Sequence, residues 1–160
     1  MFLNVSEEKG HLMTRNGAAA AYRNIDLESA VATASAHELI SLLFKEVNKC
    51  LIAAEYQFER GNVSEMRDRI TRASKVLSGL QSSLDFEKGG DIATNLGELY
   101  AYSIRQLFRA NVAAEVDNVT AVKGLIAPIA EAWESISPDN HQVGATHPSA
   151  VGLKQAYAVI

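Results

Sequence analysis

The chain has 160 residues and a formal net charge of −4; 48% of its residues are hydrophobic and 21% are charged. Such a composition is typical of a globular protein, and the acidic balance argues against nucleic acid or an anionic membrane as a partner. The single cysteine, Cys50, excludes an internal disulfide and fits a reducing compartment. No apolar stretch approaches the ~20 residues that span a bilayer. We therefore expect a cytoplasmic protein without membrane insertion.

Two amphipathic helices are predicted in the first half of the chain. The first begins at Ser35, because Ser35 and Glu38 form the S-x-x-E pattern of a capping box, and it ends at Gly61. Its apolar face consists of Ala36, Leu39, Leu43, Val47, Cys50, Ala54 and Phe58. The second starts near Ser64, and its apolar gaps of three and four residues are typical of helices that cross at a shallow angle. That seam consists of Met66, Ile70, Ala73, Leu77, Leu80 and Leu84.

A glycine pair separates the second predicted helix from the third. Gly89 and Gly90 can take the positive φ that ends a helix and reverses the chain, and Asp91 can then cap the next helix. The apolar face of this third helix consists of Ile92, Leu96, Leu99, Ser103, Leu107 and Ala110. A fourth helix starts near Asp117, and Pro128 predicts a kink or a break inside it.

These elements and the stretches around them predict the fold class and the domain organisation. Strand signals are absent and the connections are short, so the predicted fold is all-α, an antiparallel up-down four-helix bundle. We expect residues 1–17 to be a flexible N-terminal extension and residues 18–136 to form the bundle domain. Within that domain, residues 18–29 could form a short extra helix that needs docking to be stable. Residues 137–160 are expected to be a flexible C-terminal tail.

The histidines do not form a recognisable metal motif. His37 begins an H-E-x-x sequence, but Ser41 stands where the zinc motif H-E-x-x-H has its second histidine. The only Glu-x-x-His spacing, from Glu8 to His11, lies in the polar N-terminal segment, whereas a di-iron bundle carries this pattern on its core helices. We therefore expect no metal, no cofactor and no catalytic residue.

A histidine phosphotransfer function using His37 is one alternative. The sequence from Ser35 to Leu39 is similar to the A-H-x-L start of the phosphotransfer motif, and those domains are also four-helix bundles. The motif continues with Lys-Gly, whereas this chain has Ile40 and Ser41, and His37 falls in the first helical turn. A self-associating structural bundle is a second alternative.

Helices one and three carry more apolar residues than a bundle core requires, since one stripe of roughly 100° is enough. The surplus residues are Leu42, Ile52, Tyr100, Ile104, Phe108 and Val112. They could be additional core, covered by the N-terminal segment or by a dimer. They could equally form a groove for an amphipathic partner helix. The residues alone predict a helical bundle that binds another helix.

Several stretches together resemble the FliS family of flagellar secretion chaperones, from about Tyr22 to Trp133. They are TASAHELISLLF (33–44), ERGNVSEM (59–66), LQSSLDFEKGGDIATNLGELYAY (80–102), RQLFRAN (105–111) and EAW (131–133). The chain departs from the usual family pattern at Ala36, where a proline is common, and at Lys45 and Glu46, where an Asp-Gly is common.

The resemblance implies a non-enzymatic chaperone that binds the disordered C-terminal segment of flagellin and prevents its premature polymerisation. It also implies delivery to the flagellar export apparatus, with export-gate components as a further partner and a monomer or weak homodimer as the working form. In the family a tyrosine-bearing N-terminal segment can occupy the client groove, and Tyr22 matches that tyrosine. The expected flagellin groove consists of Tyr22, Ile25, Leu42, Ile52, Tyr100, Ile104, Phe108 and Val112.

Overall fold

The computed structural model describes residues 34–136, which form four α-helices and no strand. The helices are α1 (Ala36–Glu59), α2 (Val63–Ser82), α3 (Phe86–Ala113) and α4 (Asp117–Ser135). Three-residue connections make successive helices antiparallel. The predicted all-α four-helix bundle is therefore confirmed for this part of the chain. The predicted extra helix at 18–29, the extension at 1–17 and the tail at 137–160 lie outside the described residues.

Each helix of the bundle packs on two neighbours. Helix α1 packs on α2 and α4, and α3 packs on the same two helices from the other side. Helices α1 and α3 therefore stand diagonally across the bundle. The centre is filled by large aliphatic side chains from all four helices, and their burial supplies the hydrophobic driving force. The largest fully buried ones are Leu39, Leu43, Val47, Leu51, Met66, Ile70, Val76, Leu77, Leu107, Val119 and Ile126.

The start of α1 is held by the predicted capping box. The Ser35 hydroxyl accepts a hydrogen bond from the Glu38 backbone N–H at 3.3 Å, and the Glu38 carboxylate accepts one from the Ser35 N–H at 2.7 Å. The bond from the Ser35 backbone lowers the pKa of Glu38, because it favours the ionised carboxylate. Two free N–H groups of the first turn are satisfied in this way.

The chain reverses between α2 and α3 earlier than predicted. Helix α2 ends at Ser82, and Asp85 caps α3 by accepting a hydrogen bond from the Lys88 backbone N–H at 3.0 Å. Gly90 does take a positive φ, 48°, but as a kink inside α3. The prediction of a reversal at Gly89 and Gly90 with Asp91 as the cap is thus wrong, because the chain already reverses at residues 83–85 and Asp85 caps α3.

The buried face of α3 also differs from the predicted one at its beginning. Ile92 is exposed, whereas Ala93, Gly97 and Tyr100 are buried. The side chains of Leu84 and Phe86 lie against Gly97. A Cβ added at Gly97 would stand 3.5 Å from each of them, which is an ordinary contact distance. The absence of a side chain at Gly97 leaves room on this face for the Leu84 and Phe86 side chains.

Helix α4 runs continuously through Pro128, so of the predicted kink or break the break does not occur. A proline inside a helix removes one N–H donor to the carbonyl four residues earlier, here that of Gly124. Both Gly124 and Pro128 are exposed, so water can satisfy that carbonyl. Among the four described helices, none has the length and apolar character needed to cross a membrane.

Candidate functional site

Two apolar surfaces lie on the outside of the bundle. The α3 surface consists of Ile104, Phe108 and Val112; the side chains of Phe108 and Val112 are 68% and 65% exposed. The α1 surface is defined by Ile52 and Tyr56 with the residues that border them, Lys45, Asn48, Lys49 and Ala53. Ile52 is 58% exposed. Apolar side chains of this size on a surface mark it as a candidate binding site.

The α1 surface follows one face of a single helix, because its members recur at intervals of three and four residues. An open depression of about 600 Å³ lies along it. Lys45 forms an ion pair with Glu134 of α4 at 2.9 Å, and Arg60 lies over the Tyr56 ring at 5.4 Å. The surface therefore combines an apolar centre with a basic border, although the whole chain is acidic.

The α3 surface lies beside hydrogen bonds that join α2 to α3. Arg67 Nε donates to the Asn111 carbonyl at 3.0 Å, and Asn111 Nδ2 donates to Thr71 Oγ1 at 3.2 Å. Asn111 directly precedes Val112 and follows Phe108 by three residues, so these bonds fix the end of α3 against α2. Phe108 and Val112 therefore lie beside a direct contact between α2 and α3.

The structure places the predicted groove residues in three different environments. Ile52, Phe108 and Val112 are exposed, and Leu42 and Ile104 are half-buried. Tyr22 and Ile25 lie outside the described residues. Because α1 and α3 are diagonal, the members on the two helices do not form one groove. The prediction of a single groove is therefore corrected to two separate surfaces.

Tyr100 is a core residue, and its predicted place on the outer stripe is wrong. It is 3% exposed, and burial raises the pKa of its phenol. It contributes to a cavity of about 40 Å³ at the end of the bundle where α1 begins and α4 ends. The cavity is lined by Ile40, Phe44, Leu80, Ser83, Leu84, Leu96, Tyr100, Ile129 and Trp133, which come from all four helices and the α2–α3 connection.

The sequence analysis missed Tyr56, although a signal for it exists. Tyr56 follows Ile52 by four residues, so both fall on the same side of α1. Tyr56 is exposed, and its hydroxyl accepts a hydrogen bond from Arg60 Nη1 at 3.1 Å. A search for pairs of exposed apolar residues at helical spacing would have included it.

His37 is engaged in packing between the first turn of α1 and the last part of α4. Its ring stacks on Trp133 with centroids 5.0 Å apart and an interplanar angle of 16°. His37 Nε2 donates to the Trp133 carbonyl at 2.9 Å, and Trp133 Nε1 donates to the His37 carbonyl at 3.1 Å. A phosphoacceptor histidine needs a free ring nitrogen facing its partner, so this arrangement disfavours the phosphotransfer alternative.

The other reactive groups of the described residues have structural surroundings. Cys50 is buried, and burial with the neighbouring Glu46 carboxylate raises the pKa of its thiol to about 11, which suppresses the nucleophilic thiolate. Burial alone would raise the pKa of Glu55, but hydrogen bonds from Lys123 and Thr120 outweigh it and hold that pKa below its usual value. Within residues 34–136, no group of three or more potential ligands is arranged to hold a metal ion.

The fold and the two surfaces define a class of protein, a four-helix bundle with exposed apolar side chains on two of its faces. The family model described as "Flagellar protein FliS" matches residues 18–140 of this chain. The flagellar secretion chaperone FliS of Salmonella typhimurium strain LT2 is 44% identical over 119 residues, which cover 74% of this chain and 88% of the relative.

Two further relatives bear the same name. The Escherichia coli K12 protein is 35% identical over 115 residues, covering 71% of this chain and 85% of the relative. The Vibrio cholerae O1 protein is 30% identical over 129 residues, covering 81% of this chain and 95% of the relative. The chain therefore belongs to the FliS family of flagellar secretion chaperones.

Proposed function

We propose that this chain is a non-enzymatic, cytoplasmic export chaperone that binds the disordered C-terminal segment of flagellin. In this role it prevents premature polymerisation and assists delivery to the flagellar export apparatus, whose gate components are further partners. Membership of the FliS family supports the proposal. The observation that carries it is the exposure of Phe108, Val112 and Ile52 on outer faces of the bundle.

The two surfaces suit an amphipathic client that contacts the bundle at more than one place. A single straight helix can lie along one face, and α1 and α3 are diagonal, so it cannot cover both surfaces. A client that is disordered when free can place one short helix on each surface and pass around the bundle between them. Such a client loses conformational entropy on binding, which lowers the affinity per unit of buried area and keeps release feasible.

The N-terminal segment has a proposed regulatory role in the same binding equilibrium. Following the family resemblance, Tyr22 and Ile25 occupy a client surface in the free protein and leave it when the client binds. The measured affinity for the client then reflects only the difference between the free energy of the client's contacts and that of the segment's contacts.

Calorimetric titration with a flagellin C-terminal peptide tests the proposal. Phe108→Asp should weaken binding at least ~10-fold, equivalent to ~1.4 kcal/mol, without loss of helicity, because the side chain is exposed. Tyr102→Asp is the matched control, because Tyr102 is also exposed on α3. It precedes Phe108 by six residues, so the two side chains are about 240° apart around the helix axis. Equal affinities for the wild type and Phe108→Asp would contradict the assignment of the α3 surface.

Circular dichroism tests the coupled folding of the client. The spectrum of the mixture should show more helix than the sum of the separate spectra. An additive spectrum, with binding confirmed by calorimetry, would show that the peptide stays disordered on the bundle and would contradict this part of the proposal.

A further inference from the structure

The chain extends beyond the part that matches the family model, and this extension ends in an apolar stretch. The match covers residues 18–140, and the last eleven residues, 150–160, read AVGLKQAYAVI. Within them Ala150, Leu153, Tyr157 and Ile160 are separated by three, four and three residues. This spacing places all four on one side of a helix, the pattern of a segment that packs against another helix.

We propose that residues 150–160 dock as a helix on the α1 surface of the same chain. The tail then has two parts, a linker at 137–149 and a docking segment at 150–160. This inference goes beyond the proposed function, since it concerns a contact within the free protein and needs no flagellin.

The lengths of the two partners agree. Eleven residues of helix are about 16 Å long at 1.5 Å per residue. The α1 surface runs from Lys45 to Tyr56, eleven steps along the same kind of helix, and is therefore also about 16 Å long. Residues 150–160 are therefore long enough to cover the whole α1 surface.

The linker is long enough and starts in the right place. Helix α4 ends at Ser135, and its Glu134 is ion-paired with Lys45 at the near end of the α1 surface. The thirteen residues 137–149 span up to roughly 43 Å when extended and roughly 20 Å on average as a flexible chain. The Lys45–Glu134 ion pair at 2.9 Å joins the start of the docking site to the last turn of α4, so the linker imposes no strain and keeps the local concentration of the segment high.

The chemistry of the α1 surface matches the segment. The apolar centre at Ile52 and Tyr56 is exposed and would be covered by Leu153, Tyr157 and Ile160.

Limited proteolysis of the full-length chain tests this docking. Lys154 is the only lysine or arginine after Lys123, so trypsin releases residues 155–160 by a single cut that mass spectrometry resolves. Docking protects this bond, because proteolysis requires local release of the segment. Ile52→Asp should accelerate the cut at least ~10-fold, equivalent to a loss of ~1.4 kcal/mol of docking free energy. Tyr157→Ala, on the segment itself, should accelerate it in the same direction.

Four controls decide between the outcomes. Tyr102→Asp should leave the rate of the cut unchanged, and circular dichroism should show that Ile52→Asp keeps its helices. A wild-type rate equal to that of Ile52→Asp would overturn the proposal, as would acceleration by Phe108→Asp instead, which would place the segment on the α3 surface. Protection that disappears on dilution would also overturn it, since the segment would then bind a second copy of the chain.

Discussion

Gly90 and Gly124 should respond in opposite ways to the same substitution by alanine. Gly90 has φ 48° and ψ −129°, a backbone conformation that only glycine adopts readily, so Gly90→Ala should destabilise the bundle by ~1–3 kcal/mol. Gly124 lies inside α4 with open space where a Cβ would stand. Gly124→Ala should therefore stabilise the bundle by ~0.5–1 kcal/mol, because alanine loses less backbone entropy on folding and nothing resists its methyl group.

Urea unfolding followed by far-ultraviolet circular dichroism measures both effects. The two variants should differ in free energy of unfolding by ~1.5–4 kcal/mol, which for an m value of ~2 kcal/mol/M separates their midpoints by about 1–2 M. Gly97→Ala serves as a third variant: its added methyl group meets Leu84 and Phe86 at ordinary contact distance, so it should be tolerated. If Gly90→Ala were as stable as the wild type, α3 would tolerate a regular helix at this point, and the argument for a glycine-dependent kink would be refuted.

Three other changes test the core, an ion pair and the N-terminal segment. Leu77→Ala should lower the free energy of unfolding by ~2–5 kcal/mol in the same urea assay, because Leu77 is completely buried between the helices. Glu55 has a lowered pKa in the folded protein. Its contribution to stability is therefore fully present above pH 4.5, the ordinary pKa of a glutamate, and is lost as the pH falls through the lower pKa of the folded state. The difference in free energy of unfolding between the wild type and Glu55→Gln should therefore shrink as the pH is lowered from neutral to about pH 3. A difference that stays constant with pH would contradict the assignment of this stabilisation to the ionised Glu55. Deleting residues 1–29 should lower the melting temperature and tighten flagellin binding in calorimetry, whereas weaker binding would mean that Tyr22 belongs to the client site itself.

The helices and most of the core could be predicted from the sequence because they depend on local patterns. The capping box at Ser35 and Glu38 is a contact between residues three apart, and the apolar seam of α2 follows directly from helical spacing. The position of the α2–α3 reversal could not be predicted in this way. Asp85 and Gly90 both carry signals for a helix boundary, and the local pattern alone does not favour the Asp85 cap over the glycine pair.

The candidate site was harder to predict because it depends on how the helices are arranged around the bundle. Residues four apart advance about 40° around a helix, so a run from Tyr100 through Ile104 to Phe108 turns through about 80°. That turn carries the run from the buried side of α3 to its exposed side, which explains why Tyr100 is core while Phe108 is exposed. The diagonal placement of α1 and α3 is a property of the whole bundle, so residue spacing within a single helix cannot predict it.

The stacking of His37 on Trp133 has a consequence for how unfolding is observed. Trp133 is the only tryptophan in the chain, so its fluorescence reports one junction, that between the first turn of α1 and the last part of α4. Helix ends fray more easily than their middles. If this junction opens before the rest, the emission will change at a lower urea concentration than the circular dichroism, and a two-state analysis of fluorescence alone will understate the stability of the bundle.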